Sequence, residues 1–155
     1  MNSQDFSEFL ELLAVSNELK LKGSVLNSSK FQKLLEFLAI IELNLHIETK
    51  AQYSELLNNY IDHSLNSQEF SFEFIDLYQK VNDKLNDITF DINSNKDLLE
   101  SLLRENSNQN IGGLLASVYS YSDSYTSESE SSVLDEIELG LKKYVHELVS
   151  ELQKI

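Results

Sequence analysis

Apolar residues recur at three- and four-residue spacing along nearly the whole chain, the signature of amphipathic helices. Phe6, Phe9, Leu10, Leu13 and Val15 predict a first helix over Asp5–Leu21. Lys20 and Lys22 suit its C-terminus, and Gly23 is a stop. Phe31, Leu34, Leu35, Leu38 and Ile41 predict a second helix from about Ser29. Its tail is ambiguous, because Ile41, Leu43, Leu45 and Ile47 also alternate with Glu42, Asn44 and His46, as a short strand would. Thr49 and Gln52 have capping-box spacing, and Tyr53, Leu56, Leu57, Tyr60 and Ile61 then form one stripe. Asn66 and Glu69 repeat that spacing ahead of Phe70, Phe74, Leu77, Tyr78, Val81, Leu85 and Ile88, which predict the longest helix. Ser94 and Asp97 open a short helix with Leu98, Leu99, Leu102 and Leu103. Asn110 caps another with Ile111, Leu114, Leu115, Val118 and Tyr119, although Gly112 and Gly113 each weaken it by about 1 kcal/mol. Ser120–Ser132, poor in aliphatics and rich in Ser, reads as a solvated loop. Leu134, Ile137, Leu141, Tyr144, Val145, Leu148, Leu152 and Ile155 predict a terminal helix. The expected fold class is therefore all-α.

Composition narrows the chemistry. The 155 residues contain no Pro, no Cys and four Gly. Disulfides, zinc–thiolate sites, iron–sulfur clusters and cysteine nucleophiles are excluded. His46, His63 and His146 are too scattered for a metal pattern and suit surface or helix-end roles. No Gly-x-Ser-x-Gly elbow or phosphate-cradling glycine loop occurs. No cofactor, metal or catalytic constellation is expected, and the chain reads as a non-enzyme. The most apolar stretch, Phe37–Leu45, falls well short of the ~18 apolar residues of a membrane span. The N-terminus lacks a basic leader, so a cytoplasmic protein is expected.

Charge changes the picture most. Twenty-six acids against 12 Lys and Arg give a net charge of −14, which repels nucleic acid and acidic membrane surfaces. Residues 1–50 hold 7 acids and 5 bases, whereas residues 51–155 hold 19 and 7. That asymmetry places an expected boundary near Ala51, between an N-terminal helical extension (1–50) of unassigned role and an acidic domain (51–155). Asp123, Glu128, Glu130, Asp135, Glu136 and Glu138 put six acids within sixteen residues that contain no Lys or Arg. Tyr119, Tyr121 and Tyr125 lie beside them. One reading is a flexible acidic loop leading into a helix whose first turn favours negative charge. The other is a recognition patch, with carboxylates imitating phosphates for a basic partner and tyrosines as rigid anchors.

Four stretches carry a family resemblance: Tyr53–Asp62 (YSELLNNYID), Ser67–Phe70 (SQEF) with Phe74 and Leu77, Val118–Tyr125 (VYSYSDSY), and Asp135–Leu139 (DEIEL). In order and spacing they resemble the bacterial colicin D-type immunity family, over residues 53–155. The resemblance implies an antiparallel four-helix bundle that binds a basic protein partner, a cognate nuclease toxin, and covers its tRNA-cleaving active site. The family's motif of an acid, an aromatic two residues later and a second acid falls on Asp123, Tyr125 and Glu128. The expected partner-binding set is Asp123, Glu128, Tyr125, Glu130, Asp135, Glu136 and Tyr121. The N-terminal extension and the Asn-rich stretch Glu105–Asn110 depart from the family pattern. The rival expectation is a helical adaptor that presents an apolar groove along Phe31, Phe37 and Ile41.

Overall fold

The computed structural model describes residues 2–155. They form seven helices and no strand: α1 (Ser3–Leu21), α2 (Ser28–Glu48), α3 (Lys50–Ile61), α4 (Ser67–Phe90), α5 (Ile92–Leu102), α6 (Gln109–Ser127) and α7 (Ser131–Leu152). The all-α expectation holds, and residues 41–47 belong to α2 rather than to a strand. Among the described residues no helix is long and apolar enough to cross a membrane.

Helix ends follow from local chemistry. Asn2 and Asp5 exchange backbone–side-chain bonds at the start of α1, as do Asn66 and Glu69 ahead of α4. Gly23 closes α1 at φ 69°, with Ser24 N–H donating to Leu19 O and Gly23 N–H to Lys20 O. Three starts differ from expectation. Thr49 makes no side-chain cap bond. Asp91, not Ser94, caps α5 and accepts from Ser94 N–H at 3.3 Å. The residue before α6 is Asn108, not Asn110. The largest difference is the expected loop Ser120–Ser132, which is helical through Ser127.

The chain divides into two compact units. Unit 1 comprises residues 1–45 and 82–107, and unit 2 comprises 46–81 and 108–155. The first division falls near the expected boundary at Ala51, while the end of α4 and all of α5 join the N-terminal helices. Unit 1 buries Phe9, Leu13, Leu34, Phe37, Ile41, Leu99 and Leu102, with Phe9 edge-on to Phe37 at 5.6 Å. Its buried Asn44 donates to Leu102 O (2.7 Å) and Arg104 O (2.9 Å) and accepts from Asn106 (2.8 Å), which anchors the chain after α5.

Unit 2 has an aromatic core. Tyr53, Tyr60, Phe70 and Phe74 meet Leu57, Leu115, Val118, Leu141, Val145 and Leu148. Tyr60 stacks on Phe70 at 4.4 Å, and Tyr78 on Tyr119 at 4.5 Å. His46 sits at the end of α2 but is buried, 2.8 Å from the Tyr53 hydroxyl. The most extensive helix–helix contact is α6 against α7. It is closest at Gly140, where a Cβ would lie 2.2 Å from the Tyr121 ring. Only glycine lets that ring lie on the α7 backbone.

Candidate protein-binding surface

Three residues, Glu128 to Glu130, join α6 to α7, so the end of one helix and the start of the next form a single acidic end of unit 2. Asp123 is exposed in the last turns of α6, where the helix dipole disfavours an anion. Asp135 and Glu136 are exposed early in α7, where it favours one. Glu130 immediately precedes α7 and accepts from the Ser132 hydroxyl at 3.2 Å.

Glu128 is held by its own turn. Its Oε1 accepts from Glu130 N–H (2.8 Å) and Ser129 N–H (2.9 Å), and these bonds hold its carboxyl below the usual range. Both bonds go to one oxygen, leaving Oε2 for a partner. Asp123, Glu128, Glu130, Asp135 and Glu136 have no ion-pair partner among the described residues.

The two tyrosines behave differently. Tyr121 packs against Gly140 and lies 5.3 Å from the Tyr144 ring, so it joins α6 to α7. Tyr125 is partly exposed and points its hydroxyl at Glu138 across 3.5 Å, a long hydrogen bond. Partial burial and the Glu138 charge push its phenol up.

Glu138, on the next turn of α7 from Asp135, gathers groups from four helices. Lys142 donates to it at 2.9 Å, and the Ser67 hydroxyl is a second hydrogen-bond partner. Ser67 in turn lies 2.8 Å from the Tyr60 hydroxyl, and both residues are buried. A carboxylate only accepts, so Ser67 donates to Glu138 and accepts from Tyr60, giving a directed chain from the core to the surface. The Lys142 and Ser67 bonds hold the Glu138 carboxyl low, while burial pushes the Tyr60 phenol up.

Four participants in this arrangement, Tyr60, Ser67, Glu138 and Lys142, were outside the expected binding set. The Glu138–Lys142 spacing of i,i+4 is a legible signal. The approach of Ser67 and Tyr60, about seventy residues earlier in the chain, has none. A second acidic concavity of about 430 Å³ lies between α3 and α4, with Glu55, Glu73 and Asp76 on its walls. Among the described residues no three His, Asp or Glu side chains are grouped to hold a metal ion.

The fold and this surface define a class, an acidic all-α protein with a preorganised, unneutralised helix-hairpin end. Comparison with known protein families, curated protein sequences and solved structures returns no match.

Proposed function

We propose that the chain is a non-enzymatic, cytoplasmic binding protein that recognises a basic protein partner through the acidic α6–α7 end. In this reading it acts as an immunity-type inhibitor, covering the cationic active site of a tRNA-cleaving toxin with carboxylates in place of phosphates. The sequence resemblance suggests that partner class, and with it a four-helix bundle made by α3, the first part of α4, α6 and α7. The observation that carries the reading is that five exposed carboxylates share one helix-hairpin end without an ion-pair partner. Net repulsion among them is relieved when a cationic surface docks, and the field they make steers that surface in.

The adaptor reading has less support. Phe37 and Ile41 are buried at 4% and 0% exposure, which leaves Phe31 and Leu35 as the open apolar positions on α2.

The test is co-purification from native extract at low salt, followed by titration calorimetry with the recovered partner. Asp123→Asn and Glu128→Gln should each weaken binding by about 2–5 kcal/mol with an unchanged Tm, because truncation leaves a desolvated cation unpaired. The Gln carbonyl still caps the turn. If both variants bind as the parent does while Glu55→Gln abolishes binding, the recognition face is the α3–α4 groove and this reading fails.

A further inference from the structure

Hydroxyls in these helices ordinarily fold back on their own backbone. Ser117 donates to Gly113 O at 3.0 Å, Ser127 to Asp123 O at 2.9 Å and Thr89 to Leu85 O at 2.8 Å. Ser71 on α4 and Ser122 on α6 do not. Both are fully buried, and neither hydroxyl has a hydrogen-bond partner in the protein. Nearly every buried polar group in a native fold is paired, so two unpaired hydroxyls in one unit call for a ligand.

Their placement follows from the contacts around them. Ser67, Ser71 and Tyr78 are spaced i, i+4 and i+11, which puts them on one face of α4. Tyr119 and Ser122, three apart, share a face of α6. At one level Tyr78 stacks on Tyr119 at 4.5 Å. At another, Ser67 from α4 and Tyr125 from α6 both reach Glu138. The pairings run in opposite directions along the two helices, so α4 and α6 are antiparallel here, and Ser71 faces Ser122 between those levels. Two tyrosine rings fill the space between the helices at the first level. At the serine level two one-carbon side chains fill far less of it, and the hydroxyls do not bond directly.

We infer that Ser71 and Ser122 share one buried water molecule. Each hydroxyl offers a donor and an acceptor, and two partners meet the lower end of what an internal water requires. The site continues the polar chain of Tyr60, Ser67 and Glu138 inward, so a hydrated seam runs from the acidic end into the aromatic core. The inference is independent of the proposed partner.

A high-resolution crystal structure of the full chain tests it directly, with a water expected about 2.7–3.2 Å from both Oγ atoms. Melting provides a second readout. Ser71→Ala and Ser122→Ala should each lower Tm by about 2–4 °C, since each leaves the bridge incomplete. The double variant should fall little further than either single one, because the loss is shared. A dry gap or a direct Oγ–Oγ hydrogen bond in the crystal overturns the inference. Single variants that raise Tm, with additive effects in the double, overturn it as well, because they would mark dry, unpaired hydroxyls.

Discussion

The two units are both built from amphipathic helices, yet they present different surfaces. Unit 1 holds 12 acids and 7 bases, net −5, and carries six exposed large apolar side chains: Val15, Leu21, Val25, Phe31, Leu35 and Phe90. Unit 2 holds 14 acids and 5 bases, net −9, and exposes only Phe72 and Leu139 among its described large apolar residues. Their buried polar groups differ in the same sense. Asn44 of unit 1 spends its amide on closing a backbone turn, whereas Tyr60 and Ser67 of unit 2 lead out to an exposed carboxylate. Interior polarity therefore fixes chain geometry in one unit and supports a charged surface in the other.

The sharpest way to break this contrast is to compare two phenylalanines. Phe74→Ala, in the fully buried core of unit 2, should cost about 3–5 kcal/mol in urea unfolding. Phe31→Ala, at 44% exposure, should cost under about 1 kcal/mol. Equal costs would mean that the unit 1 stripe is covered in solution.

Asn44→Ala should come next, at about 3 kcal/mol, because it leaves the carbonyls of Leu102 and Arg104 without this donor inside unit 1. Faster amide exchange confined to residues after α5 would accompany it. A loss below about 0.5 kcal/mol would show that water replaces the amide there, and that interior polarity does not fix this turn.

Gly140→Ala sets two effects against each other. The helix gains about 1 kcal/mol of propensity, but a Cβ at 2.2 Å displaces the Tyr121 ring, and overpacking costs about 1–3 kcal/mol. A net loss of about 1 kcal/mol is expected by thermal melting. A stabilised variant would mean that Tyr121 swings outward freely and does not hold α6 to α7.

The smallest effect concerns Glu138. Its folded carboxyl is held low by Lys142 and Ser67, so its contribution is present above the unfolded carboxyl range and is lost as pH falls through the folded value. Glu138→Gln should melt below the parent at pH 7, by about 0.5 kcal/mol after discounting a side chain one-third exposed, and the difference should close below about pH 4. A difference that persists at pH 3 would assign the loss to packing and remove the electrostatic contrast between the units.

The sequence by itself determined the helical class, most helix ranges and the stripes that form both cores, because three-four periodicity and local capping are short-range properties. Tyr53, Tyr60, Phe70 and Phe74 are all readable as core in that way. The acidic composition of the α6–α7 end was equally legible, being a count of residues. Tertiary structure decided that Ser120–Ser127 is helix. Its low aliphatic content argues for a loop, but Tyr121 lies against Gly140, Ser122 is buried, and Tyr125 reaches Glu138. Tertiary structure also decided that residues 82–107 return to the N-terminal helices and that Ser67 and Tyr60 meet Glu138. These are pairings between residues distant in the chain, which no local pattern encodes, and contacts with the rest of the fold outweigh the weak preference of a serine-rich segment for coil.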